Sequence, residues 1–155
     1  MKIINLRDDF SAADTLAEHL SGYFKIDKQL YLESFQMCYK GKGIIPQWYI
    51  LTTDDGKFMA GCGVIDNDFH NRYDLSPNIV AVLVDPKHRG RGIARKMINY
   101  VLDDLNAMRI EDVWLITDHR HFYEKLGFTF CGHVIEDGGG TARMYHRKTK
   151  VTHFR

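Results

Sequence analysis

Between Ile79 and Thr117 the chain spells a strand, a helix and a strand in quick succession, and no other stretch narrows the fold as much. Ile79-Val80-Ala81-Val82-Leu83-Val84 is a continuous apolar run, rich in β-branched residues and bounded by Pro77 and Pro86. It is too short for a helix and reads as a central strand covered on both faces. From Ile93 to Met108 the apolar residues Ile93, Ala94, Met97, Ile98, Val101, Leu102, Leu105 and Met108 step in threes and fours, which predicts an amphipathic helix. Val113 to Thr117 then reads as a second buried strand. A strand–helix–strand crossover with short links makes a right-handed unit whose two strands run parallel within one sheet.

The flanking segments add antiparallel strands and helices. A short strand is expected at Lys2 to Leu6, and Ser11 followed three residues later by Asp14 reads as a capping box opening a helix with Leu16, Leu20 and Phe24 on one face. A second helix is expected from Asp27 to about Tyr39, with Leu30, Ser34, Met37 and Cys38 aligned and Gly41 and Gly43 able to end it. Trp48 to Thr52 and Phe58 to Ile65 flank an Asp55-Gly56 pair, a strong hairpin signal. After the polar connection Asp66 to Pro77 and the crossover come a short helix near His121 to Leu126 and strands near Phe128 to Val134 and Ala142 to His146. The expected class is α+β, and residues 1–155 read as a single domain without linker or repeat.

Composition bounds the partners. Lys and Arg total 21 against 20 Asp and Glu, a net charge of +1, so no broad basic field favours nucleic acid or an anionic membrane, and any anion site must be local. Cys38, Cys62 and Cys131 are odd in number and far apart, which argues against a disulfide framework or a structural zinc site and predicts a reducing, cytoplasmic setting. Cys131, beside Gly132-His133, reads as a buried strand cysteine. No apolar run approaches the ~20 residues that span a bilayer. Asp118, His119 and His121 lie close together but lack further ligands at suitable spacing, so no metal is expected.

The chemistry is concentrated in Val84-Asp85-Pro86-Lys87-His88-Arg89-Gly90-Arg91-Gly92-Ile93-Ala94-Arg95, which joins the central strand to the best helix. The first turn of a helix carries unsatisfied N–H donors and a partial positive charge, so a glycine turn that lets the backbone approach closely becomes a phosphate site. Gly90 and Gly92 supply that clearance, Arg89 and Arg91 add full charges, and Ala94 is small. Two rival phosphate motifs fit poorly, a nucleotide P-loop because G-x-x-x-x-G-K-[ST] is missing and a dinucleotide fingerprint because Arg95 stands where Gly or Ala is wanted.

Arg89-Gly90-Arg91-Gly92-Ile93-Ala94 resembles the pyrophosphate loop [QR]-x-x-G-x-[GA] of the GNAT acetyltransferase superfamily, and Phe122-Tyr123-Glu124-Lys125-Leu126-Gly127-Phe128 resembles that family's F-Y-x-x-x-G-F signature. Asn67-Asp68-Phe69-His70-Asn71-Arg72-Tyr73-Asp74-Leu75-Ser76-Pro77 and Thr117-Asp118-His119 are similar to segments of a bacterial subgroup. The resemblance implies a mixed, mostly antiparallel central sheet with one parallel strand pair around an acetyl-CoA cleft and helices on both faces. It implies acetyl-CoA as co-substrate, with backbone groups of Leu83 and Val84 on the pantetheine arm and residues Arg89 to Ala94 on the diphosphate. It also implies direct attack by an amine and Tyr123 as general acid, since a phenol, ordinarily titrating near ~10, can protonate a thiolate leaving group. Many relatives carry a glutamate base near the end of the fourth strand, but Ile79 to Val84 holds no carboxylate. Asp118 and His119 are the candidates at the end of the next strand, with Asp68 and Asp74 as alternatives from the preceding loop; Asp68, Arg72 and Asp74 are also candidates for the acceptor site. The acceptor, a small-molecule or peptide amine, is unassigned, and a monomer or homodimer fits equally. A non-catalytic acyl-CoA sensor on the same fold and a nucleic-acid module using the basic turn Lys87 to Lys96 are the rival readings. The turn lacks the aromatic interleaving of a single-strand platform.

Overall fold

The structure, a computed structural model, describes residues 1–41 and 43–150. Along the chain run β1 (Lys2–Asn5), α1 (Ala13–Phe24), α2 (Lys28–Lys40), β2 (Gln47–Thr52), β3 (Phe58–Ile65), β4 (Asn78–Val84), α3 (Ile93–Ala107), β5 (Asp112–Thr117), β6 (Thr129–Ile135) and β7 (Thr141–Lys148). The strands form a seven-stranded sheet in the order β1-β2-β3-β4-β5-β7-β6. The pairs β1/β2, β2/β3, β5/β7 and β6/β7 are antiparallel, and β4/β5 is parallel with Asn78 opposite Trp114. The expected mixed α+β sheet with one parallel pair is therefore present. By compactness the chain divides into two units, Met1–Val64 with Ala81–Met97, and Ile65–Val80 with the chain from Ile98 onward.

In the first unit, the β2–β3 hairpin turns at Gly56, where φ is +87°, a value that the expected Asp-Gly turn supplies at no steric cost. β2 is buried throughout. α1 buries Leu16, Ala17 and Leu20, as its spacing predicts. Its start differs from expectation. The Asp9 carboxylate, not Ser11, accepts a backbone N–H (Ser11 N, 3.0 Å) and opens a 3-10 turn over Phe10–Ala12 that runs straight into the helix. α1 itself begins behind Ala12 with no side-chain cap. α2 also presents a different face: Tyr31, Phe35 and Cys38 are buried while Leu30 and Met37 are 59% and 61% exposed. The cause is Trp48 of β2, whose ring lies 4.9 Å from Phe35 and 5.8 Å from Tyr31 and whose Nε1 donates to Ser34 Oγ at 2.8 Å. One large aromatic surface outweighs two aliphatic side chains in choosing which side of the helix turns inward. Gly63 makes room for it, since a Cβ there would overlap the indole.

In the second unit, β5, β7 and β6 bury Val113, Leu115, Val134, Ala142, Met144 and Tyr145. The β6–β7 ladder slips between Phe130 and Gly132, and Gly132 takes φ +122°. Cys131 is the extra residue of this bulge, which swings it into solvent with its Sγ donating to the Met144 carbonyl at 3.4 Å. The expected burial of Cys131 is thus overturned by the bulge; Cys38 and Cys62 are buried, and all three thiols are free.

β4 starts in the second unit and ends in the first. Ile79 and Val80 are buried, but Ala81, Val82 and Val84 are only half-buried, so complete cover of both faces holds for the first part of the strand alone. At the change sits Ala81 with φ +53°, a left-handed conformation that costs a non-glycine residue about 1–2 kcal/mol.

Candidate functional site

The Val84–Arg95 segment of the first unit folds as its residues dictate. Asp85 closes β4 by donating its N–H to the Met59 carbonyl (2.8 Å), and its side chain accepts the Lys87 N–H (2.9 Å) to cap a 3-10 turn over Pro86–His88. Proline at the start of that turn has its φ preset and no N–H to leave unpaired. Gly90 and Gly92 both take left-handed φ, +76° and +71°, and apart from the adjoining residues no heavy atom of the described residues lies within 4 Å of a Cβ built at either. The Lys96 N–H bonds to the Gly92 carbonyl at 3.1 Å, closing the first turn of α3. In any α-helix the amides ahead of that bond have no helical carbonyl to pair with. Arg89 Nε donates to the Val84 carbonyl at 3.3 Å and Arg91 Nη1 donates to His88 Nδ1 at 3.0 Å. Both guanidinium groups are thereby tethered beside the turn, and donors, positive charge and the clearance at the two glycines together suit a diphosphate.

In the second unit, the Phe122–Phe128 segment wraps a tight turn around Tyr123. The Tyr123 carbonyl accepts N–H groups from Leu126 (2.9 Å) and Phe128 (3.0 Å), Gly127 takes φ +86°, and Phe128 returns to meet the Tyr123 ring edge-on at 5.7 Å. Arg147 of β7 donates to the Leu126 carbonyl from below the turn. Tyr123 is buried, with Tyr145 at 6.4 Å; Tyr145 in turn accepts two bonds from Arg143 (3.2 Å each), and its hydroxyl lies 3.5 Å from Glu124.

The other predicted residues separate by environment. Asp118 and His119 are exposed just past β5, where the Thr117 hydroxyl accepts the His119 N–H at 3.0 Å. Arg72 and Asp74 are exposed and form a two-point pair at 2.9 and 2.7 Å, and the guanidinium holds the Asp74 carboxyl down at about 2. Asp68 is half-buried, and burial, together with the nearby Glu136 charge, pushes its carboxyl up to about 7. Sequence reasoning missed what surrounds it: His70 and Asn78 are fully buried, with His70 Nε2 donating to Asn78 Oδ1 at 2.6 Å. The one available signal was Asn78, a polar residue at the head of an apolar strand. Among the described residues no group of three or more His, Cys, Asp or Glu could hold a metal ion, and no helix is long and apolar enough to cross a membrane.

A mixed sheet with a parallel pair, whose central strand feeds a glycine-turned helix N-terminus, is the architecture of the GNAT fold. Residues 46–130, more than half of the chain, match the family model for the GNAT acetyltransferase domain, so the chain belongs to that family and is an acetyl-CoA-dependent N-acetyltransferase. Its fold is similar to that of an aminoglycoside 6'-N-acetyltransferase complexed with coenzyme A, at 15% identity and TM-score 0.74 over 99% of this chain and 100% of that one. A variant of a spermidine N-acetyltransferase from Vibrio cholerae is 16% identical, with TM-score 0.68 over 96% of this chain and 95% of that one. A GNAT-family acetyltransferase from Staphylococcus aureus Mu50 is 19% identical, with TM-score 0.69 over 96% of this chain and 100% of that one. No curated protein matches the chain in sequence.

Proposed function

We propose that this enzyme, acting as one domain, moves the acetyl group of acetyl-CoA onto a primary amine of a small molecule or peptide, by direct attack while both substrates are bound. The observation that carries the reading is the turn before α3, where two left-handed glycines open onto free space at a helix N-terminus flanked by tethered Arg89 and Arg91. In this reading the amides from Gly90 to Ala94 hold the diphosphate, and backbone groups of Leu83 and Val84 orient the pantetheine arm. Bound acetyl-CoA supplies an activated thioester. Tyr123 acts as the general acid that protonates the departing sulfur, and the buried ring holds the hydroxyl in a fixed direction. Asp118 and His119, exposed beyond β5, are the candidates for the general base at the end of that strand. Acceptors of the structurally similar enzymes, aminoglycosides and spermidine, are amines, which supports an amine here. Three free thiols support action in a reducing compartment such as the cytoplasm.

The experiment is calorimetric titration of acetyl-CoA into the wild type and Gly92→Glu. A glutamate at φ +71° directs its chain into the open face and sets a negative charge where the diphosphate belongs. Binding is expected to fall by at least about 100-fold, with a cost to the fold of only about 1 kcal/mol from the left-handed backbone. Unchanged affinity would remove the loop from cofactor binding and the reading with it.

A further inference from the structure

The Asp66–Pro77 connection is polar, yet it is fastened more tightly than a solvated loop needs to be. Its fixed point is Asn78, fully buried at the first position of β4. The Asn78 Oδ1 accepts the Asp68 N–H at 3.0 Å and the His70 Nε2–H at 2.6 Å, while its Nδ2 donates to the Leu75 carbonyl at 2.7 Å. His70 is buried beside it with both ring nitrogens engaged. Its Nδ1 accepts the Arg72 N–H at 3.1 Å, so the ring proton is on Nε2, where Asn78 receives it. Asn67 completes the frame, accepting the His70 N–H at 3.0 Å and donating to the His70 carbonyl at 3.1 Å. On its other side the loop is zipped to the end of β6. Asn71 and Ile135 exchange two bonds of 2.9 Å, and the Asp137 N–H donates to the Phe69 carbonyl at 2.9 Å.

Every polar side chain at the centre of this frame has a partner except one. The Asp68 carboxylate has no hydrogen-bond donor or cation paired with it among the described residues, although its own N–H is clamped and it is half-buried beside the Glu136 charge. Asp74 differs in kind, because its carboxylate is already occupied by Arg72 and would have to surrender a two-point ion pair to accept a proton. Asp118 and His119 lie out on an exposed turn. A satisfied polar network that immobilises a single unsatisfied carboxylate is the arrangement expected of a prepositioned base.

We infer that Asp68 is the general base that takes the proton from the acceptor's ammonium group, with His70 and Asn78 as the positioning residues that hold it. The inference rests on the acetyl-transfer reading above. An ammonium N–H breaks and its proton goes to an Asp68 oxygen. The freed lone pair forms the N–C bond as the C–S bond breaks, and the sulfur leaves with its electron pair and takes a proton from Tyr123. The nitrogen's surplus proton and that on Asp68 pass to solvent, which reprotonates Tyr123. In sum, an alkylammonium and a thioester become an amide, a thiol and one released proton. The raised carboxyl of Asp68, titrating near 7, suits such a task at neutral pH.

The test is free-thiol release from acetyl-CoA by wild type, Asp68→Asn and Asp68→Glu. The probe acceptors are spermidine and kanamycin, whose amines are protonated at neutral pH, and concentrated methoxyamine, whose amine is not. With the alkylammonium probes Asp68→Asn is expected to lower kcat by about 100-fold at pH 7 and to erase the acid limb of the rate profile. Asp68→Glu should recover part of that rate, and the loss with methoxyamine should be much smaller because that amine arrives unprotonated. Equal losses with all probes, or no loss with spermidine or kanamycin, would overturn the assignment. So would a wild type that binds acetyl-CoA yet turns over methoxyamine alone, or no probe at all. Calorimetric binding of acetyl-CoA, measured alongside, separates the two readings: its absence in the wild type is a failure of the parent proposal.

Discussion

Tyr123 is fixed in place by its ring and its carbonyl, and that fixes where its hydroxyl is carried. The ring meets Phe122 edge-on at 4.9 Å and Phe128 at 5.7 Å, and the carbonyl takes two N–H groups. Tyr123→Phe keeps all of those contacts. The cost in stability is expected to stay within about 2 kcal/mol, that of one hydroxyl interaction, while kcat falls by about 100-fold at an unchanged Kd for acetyl-CoA. Calorimetry and steady-state thiol release check both halves, and equal kcat across the accessible pH range would show that the hydroxyl is not the acid. Legibility at this scale was uneven for a physical reason. Tyr123 stood in a motif whose spacing is local, but His70 and Asn78 owe their meaning to burial. His70 in its polar loop and Asn78 at the head of β4 show their burial only once the fold and the zipper to Ile135 withdraw them from water.

At the scale of elements, periodicity located the strands and helices but not always the faces they bury. α3 was legible because its stripe (Ile93, Met97, Ile98, Val101, Leu102, Leu105) is wide enough that no neighbour could rotate it, and all six residues are buried. α2 was not, because Leu30 and Met37 compete with Tyr31 and Phe35 for the inside, and the arbiter is Trp48, a residue of another element. Cys131 failed similarly, since a bulge shifts every outward and inward assignment beyond it by one. The turn behind Tyr123 gives a prediction at this scale. Gly127 holds φ +86°, and a Cβ there would run into the Arg147 guanidinium that supports the Leu126 carbonyl. Gly127→Ala combines a left-handed alanine with a displaced charge-assisted hydrogen bond, so urea denaturation should show a loss of about 2–4 kcal/mol. A loss under about 0.5 kcal/mol would mean that Arg147 is free to move aside.

For the whole molecule the useful quantity is how stability varies with pH, because its carboxylates pull in opposite directions. The overall charge of +1 produces no strong self-repulsion to hide their effects. Asp74 beside Arg72, and Asp112 beside Lys148 and His146, have folded-state values below the ordinary carboxylate range. The stability they contribute is present above pH ~4 and is lost as pH falls through their folded-state values. Asp68 has the reverse sign. Its folded value, about 7, lies above the unfolded one, so the folded state binds the extra proton between pH ~4 and ~7 and stability falls as pH rises across that window. The enzyme should accordingly be most stable on the acid side of neutrality. Asp68→Asn should flatten the fall, raising stability at pH 8 by on the order of 2 kcal/mol after allowance for its partial exposure, and by little or nothing at pH ~4. Denaturant midpoints for the two proteins at pH 4.5 and pH 8 decide the matter without any acceptor. A variant offset that is the same at both pH values would mean that Asp68 titrates as an ordinary surface carboxylate, and a frame of buried Asn78 and His70 would then be holding a group with no unusual chemistry to perform.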